Sequence, residues 1–195
     1  FAIKHNIPVT QTVMGYSTMK RDHSHYAGQI GGLGGKNTNM LAKQTDLAIA
    51  VGTKLADFTT GSWANFENED FKLVSINVSR FDANKHLAQA VVGDARASLN
   101  ELSAALGDWK APDEWNNKSQ VELKSWNEHV DKESAPTNQE VPSYVQVVGA
   151  VYRNSDPSDV AVTAAGGLVG EVVQVWRPRE LNTHETEWGF SCMSY

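Results

Sequence analysis

Apolar and polar positions fall into two rhythms along this chain. Nearly unbroken apolar runs stand at Asp46–Val51 (DLAIAV), closed by Gly52, and at Lys72–Val78 (KLVSINV). Runs of this length without alternation predict strands buried on both faces of a parallel sheet. Residues 7–12 (IPVTQT) and Ala90–Val92 predict two shorter strands. The second rhythm is helical: Ala95, Leu99, Leu102 and Leu106 recur at helical spacing behind Gly93-Asp94, with Asp94 well suited to cap the helix. Between these elements, residues 15–37 are rich in Gly, His, Ser and Lys and predict a long loop, running into a helix at about Thr38–Lys43. Strands alternating with helices in this way predict an α/β fold around a Rossmann-like parallel sheet.

The rhythm changes after Gly107. Trp109, Pro112, Trp115 and the polar run Asn116–Glu133 predict a connecting segment with one amphipathic, mostly solvated helix, and Ala135-Pro136-Thr137-Asn138 reads as a linker. A helix with Pro142 near its first turn and an apolar face of Tyr144, Val145, Val148, Val151 and Tyr152 opens a new unit. The expected organisation is a central domain over 1–107, a connector over 108–138, and over 139–195 the first part of a second α/β domain. The chain begins at Phe1 and stops at Tyr195 inside what reads as a structured motif, so an internal fragment of a larger protein is expected.

Composition narrows the partners. A net charge of −6 with no basic stripe argues against nucleic acid. No apolar run approaches the roughly 20 residues of a membrane span. One cysteine, Cys192, excludes an internal disulfide framework and fits a reducing compartment, so the cytoplasm is the expected location.

Four stretches hold candidate chemistry. The glycine run Gly28–Gly35 lacks dinucleotide-fingerprint spacing and follows a polar loop, so a close approach of backbone to backbone is the plainer expectation. Val51–Ser62 leaves the carboxyl end of a strand, where Lys54 and Asp57 either face a ligand crevice or form a surface ion pair and a helix cap. Ala165-Gly166-Gly167-Leu168 stands between a β-branched run and a helical pattern, an order that makes either a phosphate site or a plain tight turn. His184, Glu185 and Glu187 form the densest titratable cluster, able to bind metal or move protons, or else the solvated alternate positions of a strand. Cys192 has no evident base partner and reads as a small hydrophobe.

Taken together, GGLVGEVVQVW and ETEWGFSCMSY resemble the opening of the diphosphate-binding domain of thiamine-diphosphate-dependent enzymes. Upstream, IPVTQT, TDLAIAVGTKLADFTTGS, KLVSINVSRFDANKH and VVGDARASL resemble the central domain of the same superfamily. Within it the similarity is greatest to the trihydroxycyclohexane-1,2-dione hydrolases of myo-inositol catabolism, which cleave a C–C bond and open a cyclic diketone to a deoxyglucuronic acid. The resemblance implies thiamine diphosphate with Mg²⁺ as cofactors and a homodimer or homotetramer. It places Gly166, Gly167 and Leu168 at the turn that holds the diphosphate. It places Ser191 where a backbone carbonyl meets the aminopyrimidine, and Met193 where an apolar side chain props the bent cofactor. Glu187 stands at an acidic position without an assigned role.

Other features of the resemblance lie outside this stretch. The metal ligands are expected downstream of Tyr195 and the activating glutamate in an N-terminal domain, so no catalytic or metal residue is expected here and the isolated chain is expected to be inactive. Some relatives hold FAD in the central domain, but nothing in the sequence requires it. Val169 replaces a proline of the hydrolase pattern and Ser194 a glycine, the latter at a cost of about 1 kcal/mol if φ is positive there. Two other readings remain: an acetolactate-synthase-like decarboxylase or carboligase, and a non-catalytic nucleotide-binding module.

Overall fold

The computed structural model describes residues 1–187 and 190–193. It is an α/β structure whose described strands pair in parallel. The chain opens with α1 (Ala2–His5) and β1 (Val9–Gln11), and β1 pairs with β2 (Tyr26–Gln29). β2 lies inside the expected loop, which is therefore corrected. All four of its residues are buried, so it has no alternation to betray it. Its cover is polar: the Thr38 hydroxyl donates to the Ala27 carbonyl at 2.8 Å, and Gln120 Nε2 donates to the Tyr26 carbonyl at 3.0 Å. Gly28 sits at φ +106°, where a Cβ would also strike the Thr38 side chain.

Thr38 belongs to α2 (Lys36–Gln44). Then come β3 (Leu47–Val51), α3 (Asp57–Thr60), β4 (Lys72–Asn77), α4 (Arg80–Ala83), β5 (Gln89–Val92) and α5 (Ala95–Leu106). β3, β4 and β5 form a sheet in that order. Burial on both faces suits the central strand β4, where Leu73, Ser75 and Ile76 are buried. It fails for β3, whose Leu47 and Val51 are 47% and 40% exposed. β3 is an edge strand, while α4 lies against β4 and β5 and α5 lies against β4. Asp94 caps α5 as expected, accepting the Ala97 N–H at 2.9 Å.

The 21-residue α6 (Asp113–Glu133) turns Leu123 and Val130 inward and leaves most of its surface in solvent. α7 (Tyr144–Asn154) starts with a capping box between Ser143 and Gln146, so Pro142 stands just outside the helix. β6 (Ala161–Thr163), α8 (Leu168–Val175) and β7 (His184–Thr186) complete a parallel βαβ unit.

α8 is gripped from two sides. Val172, Val175 and the following Trp176 pack with Val130 of α6 and Val148 of α7. Val169 and Val173 pack with Val13 and Leu33 from the other end of the chain. Tyr16 Oη, fully desolvated, donates to the Trp176 carbonyl at 2.6 Å and accepts from the Arg21 guanidinium at 3.1 Å. Arg21 also donates to Asn127 Oδ1 on α6 at 2.9 Å.

Candidate functional site

The βαβ unit brings the carboxyl ends of β6 and β7 side by side, the edge at which open α/β sheets place ligands. The hydroxyls of Thr163 and Thr186 meet there at 2.7 Å. One residue on, the Glu187 N–H donates to the Thr163 carbonyl at 3.0 Å, so the two chain segments leave the sheet in step.

The segment from β6 makes the glycine turn. Gly166 has φ +153°, a conformation L side chains rarely adopt, and Gly167 precedes the first residue of α8. A Cβ at either position would meet no atom of the described residues within 4 Å, so among them the backbone lies open. No side chain caps α8, which leaves its first N–H groups and the positive end of its dipole unclaimed by the described residues. Leu168 is 42% exposed beside them.

The segment from β7 folds back on this turn. The Ala165 N–H donates to the Cys192 carbonyl at 2.8 Å, tying the glycine turn to Ser191–Met193. The Glu187 carboxylate accepts two backbone N–H groups, Phe190 through Oε1 and Cys192 through Oε2, both at 2.8 Å. Between these donors Ser191 has φ +53°, in the left-handed region. No described residue donates to its carbonyl. Met193 is 88% exposed, a large apolar side chain without cover from the described residues.

The other candidates separate. His184, Glu185 and Glu187 do not converge: β7 buries His184 and Thr186 and turns Glu185 to solvent. Burial lowers the His184 imidazole to about 4, and its ring meets Tyr16 edge-on at 5.0 Å. It is a neutral packing residue. Among the described residues no group of three His, Cys, Asp or Glu side chains is placed to hold a metal ion. Val169, the departure from proline, is buried against Val13 and Val173 and does not enter the open side of the turn. Ser194, the other departure, lies outside the described residues.

Further upstream, Lys54 and Asp57 form no ion pair among the described residues, and Asp57 begins α3 rather than capping it. The glycine run proves to follow a strand, β2, and to lead into α2, which corrects the expected polar loop. The glycines serve close backbone passage: a Cβ on Gly31 would strike the Phe58 carbonyl, and one on Gly34 the Gln29 carbonyl. What the sequence did not signal is the pair of backbone ties, Thr163 to Glu187 and Ala165 to Cys192. Backbone bonds across more than twenty residues leave no mark in residue type.

Residues 1–102 match the family model described as "Thiamine pyrophosphate enzyme, central domain". The chain belongs to that family. Over 218 aligned residues, all of this chain is 33% identical to a 3D-(3,5/4)-trihydroxycyclohexane-1,2-dione hydrolase of Geobacillus thermodenitrificans. It is 33% identical to the Clostridium tetani protein of the same name and 29% identical to the Clostridium perfringens one, again over its whole length. The alignments take in 34% of each relative, so the chain spans about a third of the length of the curated relatives it matches. No described helix is long and apolar enough to cross a membrane.

Proposed function

We propose that this chain supplies the central domain and part of the cofactor site of a thiamine-diphosphate-dependent hydrolase. Its substrate is a trihydroxycyclohexane-1,2-dione, whose ring opens by C–C cleavage in myo-inositol breakdown. The observation that carries the reading is the Ala165–Cys192 bond, which joins an open glycine turn at a helix N-terminus to the exposed Ser191–Met193 segment. The relatives' shared name supplies the substrate.

The residues present fit the cofactor. Gly166 and Gly167 leave room for an anion to approach backbone N–H groups, and the dipole of α8 favours a diphosphate there. Leu168 lines the approach. The Ser191 carbonyl, to which no described residue donates, is an acceptor for an amino group, and Met193 offers apolar support under a ring. When bound, the cofactor supplies the electron sink that C–C cleavage needs. This chain's part would be to hold it: the glycine turn would take the anionic end, and the 191–193 segment would offer a carbonyl and an apolar side chain to the other. In this reading Mg²⁺ accompanies the diphosphate with ligands outside the described residues, and the activating glutamate comes from another domain. The enzyme is a cytoplasmic homodimer or homotetramer with its cofactor between subunits.

The test uses the full-length protein. Thiamine diphosphate with Mg²⁺ should bind in calorimetry and be required for consumption of the dione, while pyruvate is left untouched. A Gly167→Val variant should bind the cofactor at least ten-fold more weakly, since its side chain fills the space left for the anion. Turnover without added cofactor, or pyruvate consumption in place of the dione, refutes the proposal.

A further inference from the structure

We propose that Glu187 is the positioning residue of the thiamine-facing turn, acting through the backbone of residues 190–192. The inference rests on the function proposed above. A carboxylate has two oxygens held in one plane, and each oxygen of Glu187 accepts from a donor of the same short segment, Phe190 and Cys192, both at 2.8 Å. Charge-assisted bonds of this kind are roughly twice as strong as neutral ones. They fix the residue between the two donors, Ser191, at φ +53°, a region in which a non-glycine residue needs outside support.

Two further ties make the arrangement a frame rather than an isolated turn. The backbone N–H of Glu187 is bonded to Thr163 at the end of β6, so its side chain hangs from the sheet. The Cys192 residue whose N–H it holds also accepts, through its carbonyl, from Ala165 in the glycine turn. The carboxylate therefore sets the distance between the sheet edge, the glycine turn and the segment carrying the Ser191 carbonyl and Met193. Glu187 itself need not touch cofactor or substrate. It is a positioning residue, and its loss should shift the pyrimidine-facing carbonyl and the apolar prop while leaving the glycine turn intact.

Glu187→Gln in the full-length holoenzyme is the decisive variant. Its amide oxygen still accepts one N–H, but its NH₂ group faces the other donor. At saturating cofactor kcat should fall roughly 10- to 100-fold, the usual cost of misplacing a reacting group by about an ångström. The KM for the dione and the affinity for thiamine diphosphate should stay within about three-fold. The near-UV circular dichroism of the bound cofactor should change, reporting an altered setting of its rings. Glu187→Asp keeps both acceptors on a shorter arm and should recover part of kcat.

If Glu187→Gln matches the wild type in kcat and in the dichroism, the inference is wrong. It is equally wrong if the loss follows cofactor affinity or a fall in Tm, or if Asp is no better than Gln. A wild-type enzyme that needs no thiamine diphosphate sinks the underlying function, a result separate from any comparison of variants.

Discussion

Lowering the pH should loosen this protein through His184. The ring is 7% exposed on β7 and packs edge-on to Tyr16, and burial pushes its pKa down to about 4 from an ordinary 6.5. Among the described residues its hydrogen-bond contact is the Thr186 hydroxyl at 3.5 Å, a long one for supporting a charge. The sign follows from linkage: the unfolded chain binds the proton more tightly than the folded one, so stability is lost as pH falls below 6.5 and the loss levels off below 4. Between pH 7 and pH 5 the two pKa values give a loss of about 2 kcal/mol, rising to about 3 kcal/mol at pH 4. Urea unfolding at pH 7 and pH 5 measures it, with His184→Phe as the reference that keeps the ring contact and removes the titration. His25 is also lowered, by desolvation first and by His23 second, and remains in both proteins, so its effect cancels. The wild type should lose about 2 kcal/mol more than the variant over this interval. Equal losses would show that the buried imidazole is not what the proton attacks.

Two further substitutions probe the clamp around α8. Tyr16→Phe removes the donor from the buried Trp176 carbonyl and an acceptor from the partly buried Arg21, and should cost about 1–3 kcal/mol by urea unfolding. Gly149→Ala places a Cβ 2.6 Å from the Ser134 carbonyl and 2.7 Å from its Cβ, both on the chain just beyond α6, and should cost about 1–3 kcal/mol with a matching fall in Tm.

How legible the structure was in the sequence depended on what filled each segment. β4 and the Asp94 cap of α5 were readable because an apolar run and an N-cap carboxylate are local signals. β2 was not: its burial is achieved with Gly28, Gln29 and polar cover from Thr38 and Gln120, none of which raises hydropathy. The apolar run of β3 predicts deeper burial than the strand has, because such a run reports the residues and not how many helices reach them. At the candidate site the order of strand, glycine pair and helix marks the glycine turn in the sequence, whereas Met193 stands out only through the family resemblance. The carboxylate grip of Glu187 was not, because its partners are backbone N–H groups that every residue but proline carries.

The clamp on α8 also bears on how the chain is made. Tyr16 and the Trp176 carbonyl it reaches are 160 residues apart. At a ribosomal rate of roughly 5–20 residues per second, Tyr16 and Val13 are synthesised about 10–30 s before the helix that covers them. For that interval a buried-to-be tyrosine, an arginine and a valine face water or a chaperone. Two stretches made at well-separated times must therefore close together only after the later one has emerged. Slower translation in this stretch lengthens the exposure, and a codon change far from the glycine turn can alter how much protein ever forms it.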